Sequence, residues 1–215
     1  MILQALFSYY ETLVNKGQIS KEGWELVKVS YGLEINSDGE LIAVLPLKEP
    51  TEDGKKIIAR NMSLPSRVVR SANVNPNFIC DSCTYFLGIG DDSKIERNKE
   101  CFEEARDFHK ELLSEIDDTC AKAICAFFEN WDVSSAKENL VIEPFLKELL
   151  KGENIVFYYD SSFAHEVPEI RKAWQEHYDK DDEGEMMPCL ITGKLFPISA
   201  THSKIKGVDG AQSSG

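Results

Sequence analysis

The order of periodicities along the chain predicts an α+β fold. Three observations carry this. Apolar residues recur at helical spacing at the start, alternate by twos over the next third, and return to helical spacing through the middle. An N-terminal helix, antiparallel strands with a hairpin, a central helical block and a mixed C-terminal end are therefore expected.

Taken in order, Leu3, Leu6, Phe7, Tyr10, Leu13 and Val14 mark a helix over 2–15, and Gly17 stops it. Val27, Val29, Tyr31, Leu33 and Ile35 alternate with less apolar positions, Ser37-Asp38-Gly39-Glu40 supplies a turn, and Leu41 to Leu47 return as the second arm of a hairpin. Pro46 and Pro50 end that arm. Lys56 to Leu64 reads as another strand. Pro65, Pro76, Asn73, Asn75 and Asn77 make 65–77 a loop. Phe78 to Ile89 is apolar and closes at Gly88 and Gly90. Helices are expected over 94–116, 118–130 and 137–150, the last with Ser134 or Ser135 as cap. A short buried strand follows at 155–159, then a helix over 169–178 led by Pro168. An acidic loop spans 179–185, and 186–191 completes the order as a strand. By region the chain divides into a strand-rich part (20–90), a helical part (94–150), a mixed part (154–200) and a basic, glycine-rich loop (201–215).

Composition narrows the function. The chain has 215 residues, 42% of them hydrophobic, which is enough for a substantial core. No apolar run approaches membrane-spanning length, and the first residues lack the basic start and cleavage site of a secretory signal. A cytoplasmic protein with no membrane partner is expected. A net charge of −13 argues against a protein that coats nucleic acid without specificity. Positive charge is local: Lys55, Lys56, Arg60, Arg67 and Arg70 cluster, and Lys194, Lys204 and Lys206 mark the end. Solvated surface is the ordinary account of such clusters.

The chemistry-bearing motifs are few. Cys80-Asp81-Ser82-Cys83 has the spacing of half a zinc knuckle, with Cys189 and His202 as the nearest second half. Cys101, Cys120 and Cys125 lie among helical apolar residues and read as core thiols. Without an export signal, reduced cysteines are expected. His109 and His177 fall on helices, and no nucleophile elbow, phosphate loop or two-histidine metal motif is present. No catalytic residue or cofactor is assigned.

Two polar segments remain. In 67–77, Arg67 and Arg70 sit beside Asn73, Asn75 and Asn77; asparagine suits turns, and its amide also reads base edges. In the last twelve residues, Lys204 and Lys206 lead into Gly207, Gly210, Gln212, Ser213, Ser214 and Gly215. That composition suits contact with a polyanion, and it equally suits a flexible linker or a cloning remnant.

Several pieces together resemble one family. They are Met1-Ile2-Leu3-Gln4-Ala5-Leu6 with Tyr9-Tyr10, Gly23-Trp24, and Lys28-Val29-Ser30-Tyr31. Pro76-Asn77-Phe78-Ile79-Cys80-Asp81 with Tyr85-Phe86-Leu87-Gly88, and Cys189-Leu190-Ile191-Thr192-Gly193, continue the set. Lys204-Ile205-Lys206-Gly207-Val208 with Gly210-Ala211-Gln212-Ser213-Ser214-Gly215 completes it. The chain resembles the large subunit of the type I-C CRISPR Cascade. Family members are longer and carry a C-terminal helical bundle, so the chain reads as the N-terminal, PAM-recognition domain. Ser82 stands where many relatives carry an amide, and the helical middle matches no family pattern.

The resemblance implies a role rather than a reaction. The large subunit inspects duplex DNA for a short flanking motif, the PAM, and helps unwinding so that the guide can pair. The implied partners are double-stranded target DNA, the CRISPR guide RNA, the backbone and 5′-handle-binding subunits, and the helicase-nuclease recruited to the complex. The implied DNA-binding residues are Asn77, Asn75 and Asn73 with Gln212 for base edges. Lys204, Lys206, Arg67, Arg70, Ser213 and Ser214 are assigned to phosphates. A zinc-stabilised or hydrolytic domain, and a scaffold gripping guide RNA or neighbouring subunits, are the competing expectations.

Overall fold

The computed structural model describes residues 2–68, 70, 73–180 and 186–197. The α+β expectation holds. The chain divides into two units, residues 20–175 and residues 1–19 with 176–215.

In the larger unit, β1 (Trp24–Val29) pairs antiparallel with β5 (Ile57–Pro65), and β4 (Lys48–Pro50) pairs antiparallel with the other edge of β5. A second sheet is built on the expected hairpin of β2 (Tyr31–Ile35) and β3 (Leu41–Pro46). Its turn uses Gly39 at φ 77°, and Asn36 Oδ1 accepts from the Asp38 and Glu40 amides at 3.0 and 2.8 Å. The first arm of this hairpin is only β2. The chain breaks at Ser30, whose amide donates to Asn154 O at 3.0 Å, and β1 leaves for the other sheet.

β7 (Ile155–Tyr159) lies parallel to β2, an arrangement that alternation alone does not reveal. β6 (Cys80–Asp81) and β8 (Ser162–Phe163) pair antiparallel with β7. The parallel pairing needs a long crossover. That crossover contains α2 (Cys83–Phe86), α3 (Ile95–Leu113) and α4 (Thr119–Asn130). Asp118 caps α4 by accepting from Ala121 N at 2.9 Å.

The expected helix over 137–150 is broken. A 3-10 turn at Ala136–Glu138, another at Glu143–Phe145 and a single α-turn, α5 (Leu146–Leu149), replace it. Asn139 Oδ1 takes the Val141 amide at 2.9 Å, and Pro144 has no amide to give. Ser134 and Ser135 do not cap: their hydroxyls donate to Asp132 Oδ1 at 2.6 Å and Asp132 O at 3.3 Å. α6 (Pro168–Lys180) begins at proline as its sequence predicts.

Two cores hold this unit. Val27, Val29, Met62, Leu64, Cys80, Val156 and Phe163 cluster between the sheets. Phe86, Phe127, Phe128 and Phe157 form an aromatic core, with Phe86 stacked on Phe157 at 4.7 Å between centroids. His109 is fully buried among them, 4.7 Å from Phe128.

In the smaller unit, α1 (Ile2–Asn15) forms as expected and has no buried residue. β9 (Met186–Pro188) pairs antiparallel with β10 (Leu195–Pro197). Cys189 N donates to Lys194 O at 2.8 Å, so Cys189 to Gly193 is a hairpin turn and the strand expected over 186–191 ends at Pro188.

Candidate nucleic-acid interface

The 67–77 loop rises from the end of β5 and returns through a buried anchor. Phe78 is 1% exposed, stacked at 5.6 Å on Trp174 and at 5.4 Å on His109. Ile79 has φ 49°, a left-handed conformation that costs a β-branched residue energy. Its amide donates to His109 Nε2 at 2.9 Å, and His109 Nδ1 lies 2.6 Å from Ala105 O. With Nε2 accepting, Nδ1 carries the proton and donates to that carbonyl. Burial holds the ring neutral and pushes its pKa down to about 4. A charged imidazole could not accept from Ile79, so neutrality is part of how the loop is anchored.

Asp81 organises the loop above this anchor. Its side chain is 2% exposed. Oδ2 accepts from the Asn77 amide at 2.8 Å, and Oδ1 from the Ser82 amide at 2.7 Å. Arg70 closes a bidentate pair, Nη1 to Oδ1 at 2.9 Å and Nη2 to Oδ2. Its Nε donates to Asn75 O at 2.6 Å, and its guanidinium lies 3.9 Å from the Tyr85 ring centroid. Burial opposes the charge, but the hydrogen bond and charge of Asp81 outweigh it, so the guanidinium's pKa is raised. Arg70 is thus held by one carboxylate, one carbonyl and one ring.

The loop residues divide by environment. Asn73 and Asn75 are exposed. Asn77 is buried at 8%, and its Oδ1 accepts from Val68 N at 3.1 Å, stapling the two ends of the loop. Asn77, expected from sequence at a base edge, thus has its Oδ1 engaged by the loop itself and its side chain mostly buried. Arg67 is tied to Glu25, its Nε at 2.8 Å and its amide at 3.1 Å from Oε1. Nearby positive charge is similarly matched, Lys55 with Asp53 and Arg60 with Glu49, both at 3.8 Å. The basic cluster of the sequence is, in space, largely a set of ion pairs.

Lys204, Lys206, Gln212, Ser213 and Ser214 lie outside the described residues, as does His202. The two segments that sequence reasoning joined are thus described on one side only.

The cysteine motif resolves into packing. Cys80 is 1% and Cys83 2% exposed, and burial pushes both thiols up, Cys83 to about 11. Cys83 Sγ lies 3.1 Å from Leu149 O and 3.4 Å from Ile89 O, as a protonated thiol would. Among the described residues no three His, Cys, Asp or Glu side chains converge as metal ligands.

Sequence reasoning missed Asp81, Tyr85 and His109 as the support of the loop. The signal available was Asp81 itself, a charge inside the apolar run 78–89 that demands a buried partner.

Comparison with known families gives the class, a CRISPR-associated protein. The family model described as CRISPR-associated protein (Cas_Csd1) matches residues 6–215, and the chain belongs to that family, the large subunit of the type I-C Cascade. It is accordingly a component of Cascade, a complex that it builds with other Cascade subunits. No curated protein matches the chain. Among the described residues no helix is long and apolar enough to cross a membrane.

Proposed function

We propose that this chain is the non-enzymatic, PAM-reading domain of the Cascade large subunit, acting in the cytoplasm. It inspects the short flanking motif in duplex DNA and helps separate the strands so that the guide RNA can pair. The observation that carries this is the bracing of the described loop residues: Asn73 and Asn75 are exposed, Asn75 O accepts from Arg70, and Arg70 and Asn77 are in turn held by Asp81. A rigid support with exposed amides is what base-edge reading needs, because positional error is lost binding energy.

In this proposal Asn73 and Asn75 meet base edges, with Gln212 as a further amide. Lys204, Lys206, Ser213 and Ser214 hold phosphates. Arg67 can exchange its half-buried Glu25 partner for a phosphate, while Arg70 and Asn77 keep the loop in shape. The guide RNA, the backbone and 5′-handle-binding subunits and the recruited helicase-nuclease are the remaining partners.

The test uses the assembled complex and duplexes with a correct or an altered flanking motif. Replacing Asn73 and Asn75 together by alanine should collapse the affinity ratio between the two duplexes by roughly tenfold or more. Lys204→Ala should weaken both alike and flatten the salt dependence. An unchanged ratio in the double variant would falsify the assignment of these amides.

A further inference from the structure

Two guanidinium groups with donors to spare lie away from the 67–77 loop. A cleft of about 300 Å³ in the larger unit is lined by Arg60, Asn61 and Ser63 of β5, by His165 and Glu166, and by Arg171 of α6. Arg60 lies over the Phe163 ring at 5.7 Å, and its Nε is 3.8 Å from Glu49, beyond hydrogen-bond reach. Arg171 lies over the Trp24 ring at 4.0 Å, and its Nη1 donates to His165 O at 3.0 Å. A guanidinium supported by an aromatic face keeps its N–H edge available for a second partner. Arg67 and Arg70, by contrast, have their Nε and, for Arg70, both terminal nitrogens engaged within the protein.

His165, in the wall of the cleft, gives a second observation. It is 6% exposed, and its Nδ1 is the one buried side-chain nitrogen or oxygen without a hydrogen-bond partner among the described residues. Burial pushes its pKa down to about 4; Glu166 opposes that shift, and Arg171 and Arg60 add to it. Both guanidiniums therefore act on the same ring; Glu166 shares the cleft with them, and Glu49 stands 3.8 Å from Arg60 at its edge. The neutral ring adds no charge.

We infer that this cleft binds a backbone phosphate of a nucleic-acid strand, between Arg60 and Arg171, with Asn61 and Ser63 as neutral donors. A phosphodiester fits because planar guanidinium forks match its oxygens. The contact carries no sequence information. It adds a phosphate anchor on β5 and α6 to the base-reading loop of the proposed function, and it does not depend on which amides read the PAM.

The test is Arg60→Gln in the assembled complex, with Arg171→Lys as a second variant that keeps the charge and removes the fork. Two arms are measured: retention of guide RNA, and affinity for duplex DNA at several salt concentrations. If the strand is target DNA, Arg60→Gln lowers DNA affinity roughly tenfold at low salt and reduces the salt slope by about one, with RNA retention unchanged. If it is guide RNA, retention falls instead. In both cases the ratio between correct and altered flanking motifs stays as in the parent, which separates this site from the loop. Unchanged RNA retention together with unchanged DNA affinity and salt slope for Arg60→Gln overturns the inference.

Discussion

Asp81 shows how one buried charge can shape a surface it never reaches. Its carboxylate joins two backbone amides and Arg70, so removing either ionic partner leaves an uncompensated group inside. Asp81→Ala should therefore destabilise the chain by about 3–5 kcal/mol in urea unfolding. Arg67→Ala breaks a surface pair with the half-buried Glu25 and should cost less than about 1 kcal/mol. Comparable losses in both variants would contradict the hub. The buried histidines give a pH signature. His109 and His165 both have folded pKa values near 4, below the value of about 6.5 in an unfolded chain. The unfolded state then binds more protons between those limits, so stability rises with pH across that window and falls on acidification from about 6.5 towards 4. Each histidine contributes at most about 1.4 kcal/mol per pH unit. Unfolding midpoints measured from pH 4 to pH 7 should show this slope, and His109→Phe should reduce it. A flat profile in the parent protein would refute the burial argument.

At the scale of elements, the hairpin turn is the most exacting point. A Cβ at Gly39 would land on the Phe127 backbone nitrogen and on Ala126, and the residue's φ is positive. Gly39→Ala should cost more than about 3 kcal/mol, seen as a lowered thermal midpoint, because neither the helix backbone nor the turn can yield cheaply. The elements that sequence made legible are those with long, clean periods: α1, β2 with β3, β5, α3, α4 and α6. The third central helix was not, because apolar spacing over 137–150 outweighed Asn139 and Pro144, which decide the local backbone. The candidate site was half legible. Composition located the polar loop, but composition cannot tell an outward amide from an inward one. Asn77 differs from Asn73 and Asn75 only through Val68 and Asp81, which become its neighbours by folding. Arg60 and Arg171 lie 111 positions apart in sequence, so no local motif could join them.

Across the whole molecule, a charge of −13 sets the background against which any DNA contact works. Most described lysines and arginines near the loop already face carboxylates, so little free positive surface remains for a random duplex. The chain should bind non-specific duplex no tighter than about 0.1 mM at physiological salt, measured by fluorescence anisotropy. Sub-micromolar binding to a random duplex would mean that the acidic body does not limit contact. In the proposed role, weak intrinsic binding would let the subunit release most duplexes it meets and leave affinity to guide pairing.

The side-by-side alignment of β2 with β7 has a bearing on how the protein is made. Tyr31 lies opposite Ile155, so more than a hundred residues must leave the ribosome before β2 acquires that neighbour. Until then one edge of the nascent β2–β3 ribbon stays open to any extended chain nearby. Translation itself, at about 5–20 residues per second, leaves that edge unguarded for several seconds or longer. The time of greatest hazard for this protein thus falls during synthesis, before its second sheet can close.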